Sequence, residues 1–437
     1  MQFREWVSTA DHVAAGKWSH ALMERLFPIC RSITGDGVRE TLTLMQEHIP
    51  LEIHEVPTGT QVFDWTVPRE WNIRDGYIKD AAGNRVIDFQ QHNLHVMNYS
   101  APIQGTVSLE ELKAHCHTLP EYPDRIPYRT TYYDEKWGFC LSQNQLDGLT
   151  ESEYEVFIDS TLSDGHLTYG EIVIPGQTED EIFITSHICH PSLANDNLSS
   201  ISIAVYLAKE LSQLELRHTV RFVFAPATIG AITWLARNED RLHHIKHGLC
   251  LACTGDPANV TYKRSRHDSA EIDQAMMFVL EQRGTEHTIE PFTPWGYDER
   301  QYGSQGINLP LGCFMRSGPD GYNEYHSSAD NLDLVQPEYL ADSFDALFRV
   351  IEVLEGNDCY RNVNPKCEPQ LGRRGLYGTV GGMTQHATNT LSILWVLNYS
   401  DGEHSLLDIA SQSGYSFALI RGAADALLEA DLLVQCD

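Results

Sequence analysis

From Gly170 to Glu355 the sequence alternates short apolar runs with segments of helical period. Glu181-Ile-Phe-Ile-Thr-Ser, Thr219-Val-Arg-Phe-Val-Phe-Ala, residues 247–254 and residues 309–316 read as buried strands. Residues 198–211, 229–236, 270–283 and 337–355 carry apolar side chains at helical spacing. This order predicts an α/β fold, a mixed sheet flanked by helices. In such sheets functional side chains gather at the carboxyl ends of the strands.

The chain around this block has other textures. The first fifty residues read as helices, with Leu22, Leu26, Ile29 and Ile33 roughly on one face and Leu42 and Met45 on a second helix after Gly35-Asp-Gly. Leu51-Glu-Ile-His-Glu-Val alternates like a strand. Residues 59–169 are rich in Trp, Tyr and Pro and in short alternating runs, and read as an inserted β-rich domain. Residues 359–383 contain Pro, Gly and Arg and read as a linker. Three helical segments then follow, around Thr390-Leu-Ser-Ile-Leu-Trp-Val-Leu-Asn, from Ser405, and over 417–429, ending in Leu432-Leu-Val. They predict a winged-helix-like domain over 385–437. The main domain is expected over 1–58 plus 170–358.

Bulk properties narrow the class. A chain of 437 residues with 42% hydrophobic residues is large enough for two or three domains. It holds no apolar run of about 18 residues, so no membrane span is expected. The first residues lack the apolar stretch of a signal peptide, so a cytoplasmic location is expected. A formal net charge of −30 argues against a nucleic-acid partner. Cys250 and Cys253 lie in an apolar run with no second cysteine pair at zinc-ribbon spacing, and read as buried strand thiols.

Three acid and histidine clusters follow strand-like runs. The first, Thr185-Ser-His-Ile-Cys-His-Pro-Ser-Leu-Ala-Asn-Asp-Asn-Leu-Ser-Ser, contains His187, His190 and Asp196. The second, Asn323-Glu-Tyr-His-Ser-Ser-Ala-Asp-Asn-Leu, contains His326 and Asp330. The third puts Asp256 after Cys253-Thr-Gly. Imidazole and carboxylate together suit zinc, and a catalytic site needs only three protein ligands with one position open.

The order of these clusters is similar to that of the co-catalytic zinc aminopeptidase superfamily. Longer strings, among them Arg31-Ser-Ile-Thr-Gly, Phe63-Asp-Trp-Thr-Val-Pro, Glu70-Trp-Asn-Ile-Arg-Asp, Asp298-Glu-Arg-Gln and Leu394-Trp-Val-Leu-Asn, resemble a bacterial aminopeptidase-like family associated with polysaccharide biosynthesis. The resemblance implies a zinc-exopeptidase domain, with His187 as first metal ligand, Asp196 as the shared carboxylate, Asp256 as second-site acid and His326 as last histidine. His190 is additional, able to replace or support His187. Cys189 stands where the superfamily has the aspartate of its His-x-Asp.

The superfamily resemblance also implies a general-base Glu, then a metal-binding acid, after the strand ending at Ala225, whereas the closer family has Pro-Glu-Thr-Ile-Gly there. This chain reads Pro226-Ala-Thr-Ile-Gly, so Ala227 holds the base position and Thr228 that of the acid. The expectation is one tightly bound zinc and a peptide or amide hydrolase, aminopeptidase-like, that is inactive or very slow. Glu324 is a substitute base to consider. A non-catalytic zinc-containing binding protein is the alternative, and a regulator acting through the tail is a third reading. Arg264, Arg266, Arg300 and Arg316 are candidates to hold an anionic group of a peptide-like or amide-containing ligand. Asp298 and Glu299 are candidates for a free amino group. Tyr297 and Tyr322 are expected to line the cleft, and a homo-oligomer is allowed.

Overall fold

Eight strands form one sheet: β1 (Glu52–Pro57), β2 (His166–Ile174), β3 (Glu181–His187), β4 (Thr219–Ala225), β5 (Ile245–Leu251), β6 (Val260–Lys263), β7 (His287–Glu290) and β8 (Leu311–Met315). Their order is β1-β2-β4-β3-β5-β8-β6-β7. The four central strands, β4, β3, β5 and β8, run parallel, while β1, β2 and β6 pair antiparallel with their inner neighbours. The fold class read from the sequence is therefore the observed one. This computed structural model describes residues 6–7, 10–267, 269–319, 321–376 and 384–436, the side chains of 384–389 excepted.

The chain divides into two compact units, residues 1–270 with 286–345, and residues 271–285 with 346–437. In the first unit, β3 and β4 are buried along nearly their whole length, as parallel strands covered on both faces must be. β4 nonetheless carries Arg221. Its guanidinium is neutralised in place, donating at 2.6–2.7 Å to Glu181 and at 2.6 Å to Glu171. A buried cation paired this fully avoids the cost of an isolated charge. The helix Ser200–Leu211 follows the first His/Asp cluster, and Ile229–Arg237 follows the Ala227 turn.

The β-rich segment builds a second sheet, in the order Arg85–Asp88, Glu70–Lys79, Glu153–Ser163, Ile103–Ser108, all antiparallel. Tyr154, Val156 and Ile158 alternate into its core with Ile78, Ile87 and Phe139, the period-2 pattern of a half-buried sheet. The segment also reaches the loop that carries His326: Tyr128 N donates to His326 O at 2.7 Å, and Ile126 N to Ser328 Oγ at 3.0 Å.

In the second unit a three-stranded sheet, Asp401–Ser405, Cys359–Asn362 and Leu433–Gln435, accompanies the helices Thr384–Tyr399, Leu406–Ser413 and Phe417–Glu429. Ser405 and Asp408 form a capping box that starts the second helix, and Gly414, at φ 70°, ends it. The linker reading of 359–383 needs correction, because Cys359–Asn362 is the central strand. Four residues are too few to show a period, and only the pairing on both sides defines the strand. Residues 377–383 lie outside the described residues. Among the described residues no helix is long and apolar enough to cross a membrane.

Candidate metal centre

All three His/Asp clusters lie at one end of the sheet, since β3, β5 and β8 run parallel and each cluster follows or flanks a carboxyl end. β3 delivers His187 as its last residue. The chain then loops through His190 and turns at Ala194–Ser199 into its helix. Asp196 is fully buried, at 0% exposure. His187 Nε2 lies 2.7 Å from Asp196 Oδ1, His326 Nε2 lies 3.0 Å from Oδ2, and His190 Nε2 lies 3.7 Å from the same Oδ2. The structure thus gathers His187, His190 and Asp196, whose ligand atoms all lie within 4.8 Å of one another, and sets His326 against the second Asp196 oxygen.

The Ala-Asn-Asp-Asn string has a distinct task at each polar position. Asn195 donates from Nδ2 to Asp256 Oδ2 at 2.8 Å and accepts at Oδ1 from Gly255 N at 2.9 Å. Asn197 accepts from Cys253 N at 3.0 Å and donates to Leu251 O at 3.1 Å. Both amides tie the turn to the end of β5. Between them, Asp196 is aimed at the imidazoles. The backbone N–H groups of Asn195 and Asp196 donate to the two oxygens of Asp330, at 2.6 and 3.0 Å, and Tyr322 OH adds a third bond at 3.2 Å. Asp330 therefore orients the turn that carries Asp196.

Burial and charge set the protonation states. Burial alone would raise the Asp196 pKa, but the neighbouring imidazoles, His190 and His187 foremost, hold it well below the usual value. Burial also opposes a charged His187, yet the Asp196 hydrogen bond and charge outweigh it and raise its pKa. Burial drives His190 down to about 3, and lifts Asp330 to about 7 and Asp298 to about 6.

Asp256 stands apart from this group. Its Oδ1 accepts from Ala258 N and Ser317 Oγ, each at 2.9 Å, and its Oδ2 from Asn195 Nδ2 at 2.8 Å and Ser317 N at 3.2 Å. Ala227, which the resemblance puts at the base position, joins the site through one thiol: Ala227 N donates to Cys189 Sγ at 3.3 Å, and Cys189 Sγ lies 3.4 Å from His190 Nδ1. Glu324 Oε1 is 3.8 Å from Arg125 Nη2.

Of the substrate-side candidates, Asp298 and Glu299 lie near enough to His187 for their charges to raise its pKa, while Arg316 and Arg266 are bonded to other residues. Arg316 pairs with Asp342 at 2.7 Å, and Arg266 donates to Asn308 Oδ1 at 2.6 Å. Glu299 is buried and ion-paired with Lys263. Asp298 is buried, Arg300 half-buried, and Arg264 half-buried with its backbone N on Glu290 O at 2.9 Å. Tyr297 does line the site, stacked on His187 with ring centroids 5.6 Å apart. It also lines a cleft of about 290 Å³ with Lys263, Trp295, Glu299 and Met315.

Two contributors were not foreseen. The Tyr128 ring, from the β-rich segment, packs 5.0 Å from His190 and 5.1 Å from His326 between centroids. Arg31, fully buried, donates from Nε to His190 O at 2.9 Å. Both act across long sequence separations. Nothing local marks Tyr128, while Arg31 lies in a string singled out only for its resemblance.

Residues 20–357 match a family described as a domain of unknown function, DUF4910, and residues 358–435 match a winged helix-turn-helix family. The chain belongs to the DUF4910 family. It is 54% identical, over 94% of its length and 95% of the relative's, to a Clostridium acetobutylicum protein named for polysaccharide biosynthesis with an aminopeptidase-like domain. A crystal structure from Clostridium acetobutylicum, whose name calls it a peptidase, superposes with a TM-score of 0.94 at 50% identity, over 99% of this chain and all of that one. The zinc aminopeptidase BSAP of Bacillus subtilis superposes with a TM-score of 0.56 at 12% identity, over 78% of this chain and 95% of that one. At that identity the likeness is one of fold. The DUF4910 chain therefore has the zinc-exopeptidase fold and an aminopeptidase-like family setting.

Proposed function

We propose that this chain binds one zinc ion at Asp196, His187 and His326, takes an amide- or peptide-bearing ligand there, and hydrolyses it very slowly or not at all. The convergence of imidazole Nε2 atoms on a fully buried carboxylate carries the reading. That donor set fits zinc, which takes imidazole and carboxylate ligands. When bound, zinc supplies Lewis-acid polarisation of an amide carbonyl.

The protein's own residues do the remaining work. Tyr297 backs His187 and walls the adjoining cleft, where a ligand side group is received. Asp330 and the two Asn side chains hold Asp196 in position. Ala227 offers a methyl group where a carboxylate would take a proton from water and pass it to the leaving amine. Loss of a general base costs about 100- to 10,000-fold in rate, roughly 3 to 5 kcal/mol of barrier. Ground-state binding does not depend on that proton transfer, so affinity is retained. The Clostridium acetobutylicum relative is named for polysaccharide biosynthesis, so N-acylated amino sugars are ligands to test beside peptides. A binding protein that has left catalysis behind is the second reading, and Ala227 favours it.

The test compares the chain with Ala227→Glu, both zinc-loaded, on free-amine dipeptides and N-acylated amino sugars. Recovered hydrolysis in the Glu form supports the slow-hydrolase reading. Binding of one ligand by both forms without turnover supports the binding protein. Equal turnover by both forms refutes the role given to position 227, and Glu324 becomes the base to test.

A further inference from the structure

We propose that His190 is itself a zinc ligand, so that the ion is held by three imidazoles and the Asp196 carboxylate. This extends the zinc reading above and rests on it.

Distance is the first argument. His190 Nε2 lies 3.7 Å from Asp196 Oδ2, the oxygen that His326 Nε2 approaches to 3.0 Å. Ligand atoms of His187, His190 and Asp196 all lie within 4.8 Å of one another. A separation of 3.7 Å is too long for a hydrogen bond. It is close to the spacing of two ligands on one tetrahedral ion, about 3.4 Å for bonds of about 2.0–2.1 Å.

The second argument is the tautomer. His190 Nδ1 lies 3.4 Å from Cys189 Sγ. A proton on Nδ1 is accepted by that sulfur and leaves the Nε2 lone pair facing Asp196. Metal-bound histidines are oriented this way, through a partner on the other ring nitrogen. Cys189 then acts by positioning the ligand that follows it.

Preorganisation is the third. Arg31 Nε grips His190 O at 2.9 Å, and its Nη1 is anchored on Leu26 O at 2.7 Å. Ser192 Oγ donates to Phe27 O at 3.0 Å and accepts from Asn93 Nδ2 at 2.9 Å. Tyr128 packs near the ring. Asp256, the other carboxylate expected at the metal, has two donors on each oxygen and is committed elsewhere. With four protein ligands a tetrahedral shell is full, and a ligand carbonyl joins the ion only by expansion to five-coordination, whereas catalytic zinc sites usually keep one position open. The fourth ligand and the Ala227 methyl group thus favour the same outcome, binding without turnover.

The test uses the full chain, stripped of metal and titrated with zinc against a chromophoric chelator, with His190→Gln and, in the second unit, His404→Gln as comparison. Wild type and His404→Gln are expected to bind one zinc with equal affinity, and His190→Gln more than about 100-fold more weakly, beyond the usual cost of losing an outer partner. X-ray absorption on zinc-loaded wild type, which needs no variant, is expected to count three imidazoles. Two imidazoles, or His190→Gln binding as tightly as wild type, overturns the proposal. A wild type that binds no zinc overturns the zinc reading, and this proposal with it.

Discussion

The amide nitrogen of Ala227 lies 3.3 Å from Cys189 Sγ and donates to it. The turn that holds the base position and the loop that holds His190 are thereby joined through one buried thiol, which burial keeps protonated by raising its pKa. Cys189→Ala removes the partner of two part-buried groups, Ala227 N and His190 Nδ1, and is expected to cost about 1–3 kcal/mol of stability. Cys189→Ser keeps an acceptor and is expected to cost less. Chemical denaturation of the three proteins checks the ranking, and equal losses for Ala and Ser refute the hydrogen-bond account.

Asp256→Asn is expected to leave zinc stoichiometry at one per chain while lowering stability by about 1–3 kcal/mol, because a carboxylate with two donors on each oxygen becomes an amide with one mismatched end. Elemental analysis after dialysis is the measurement. Loss of bound zinc in this variant, from protein that remains folded, contradicts the separation of Asp256 from the metal.

Arg39 donates to both oxygens of Glu70, at 2.8 and 2.7 Å, and the His166 N–H adds a bond at 2.9 Å. The Arg39 hydrogen bond is the chief reason that the Glu70 pKa falls from 4.5 to about 2. A folded pKa below the unfolded one stabilises the fold at pH values above the unfolded pKa, and that stabilisation is lost as pH falls from about 4.5 towards 2. Glu70→Gln is therefore expected to be about 1–3 kcal/mol less stable than wild type at pH 7, with the gap closing as pH drops through that window. Denaturant melts at pH 7, 4.5 and 3 measure it, and a gap that is constant with pH rules out the ion pair as its source.

The winged-helix unit is expected not to bind duplex DNA at physiological salt. Residues 358–435 hold five basic residues, Arg361, Lys366, Arg373, Arg374 and Arg421, against eight acids, and Arg421 is the one basic residue from Ser405 to Asp437. It is engaged within its unit, donating to Asp425 Oδ1 at 2.7 Å and to Tyr360 OH at 2.7 Å. Duplex readers need Lys and Arg to neutralise phosphates. Fluorescence anisotropy of a labelled mixed-sequence duplex with the full chain checks this, and salt-dependent micromolar binding contradicts it.

The alternation of apolar strands and periodic helices, the His187, Asp196 and His326 clusters, and the Pro226-Ala-Thr-Ile-Gly string are all local in the chain, which is why the sequence alone determined the fold class and the chemistry to look for. A run such as Glu181–His187 declares itself because Ile182, Phe183, Ile184, Thr185 and Ser186 are apolar or small enough to bury in a doubly covered strand, whereas the Arg221 that pairs Glu181 lies 40 residues away. What each polar side chain does with its partners was not legible, because that depends on contacts across long sequence separations. Asp256 is next to an Asn195 that lies 61 residues away in the chain, and Arg31 reaches His190 over 159 residues. Cys359–Asn362 shows the same limit in the backbone, a strand only because Asp401–Ser405 and Leu433–Gln435 flank it. Only the tertiary structure decided which acids hydrogen-bond and which face the imidazoles, since burial removes water as a partner and makes each buried group take the nearest protein one.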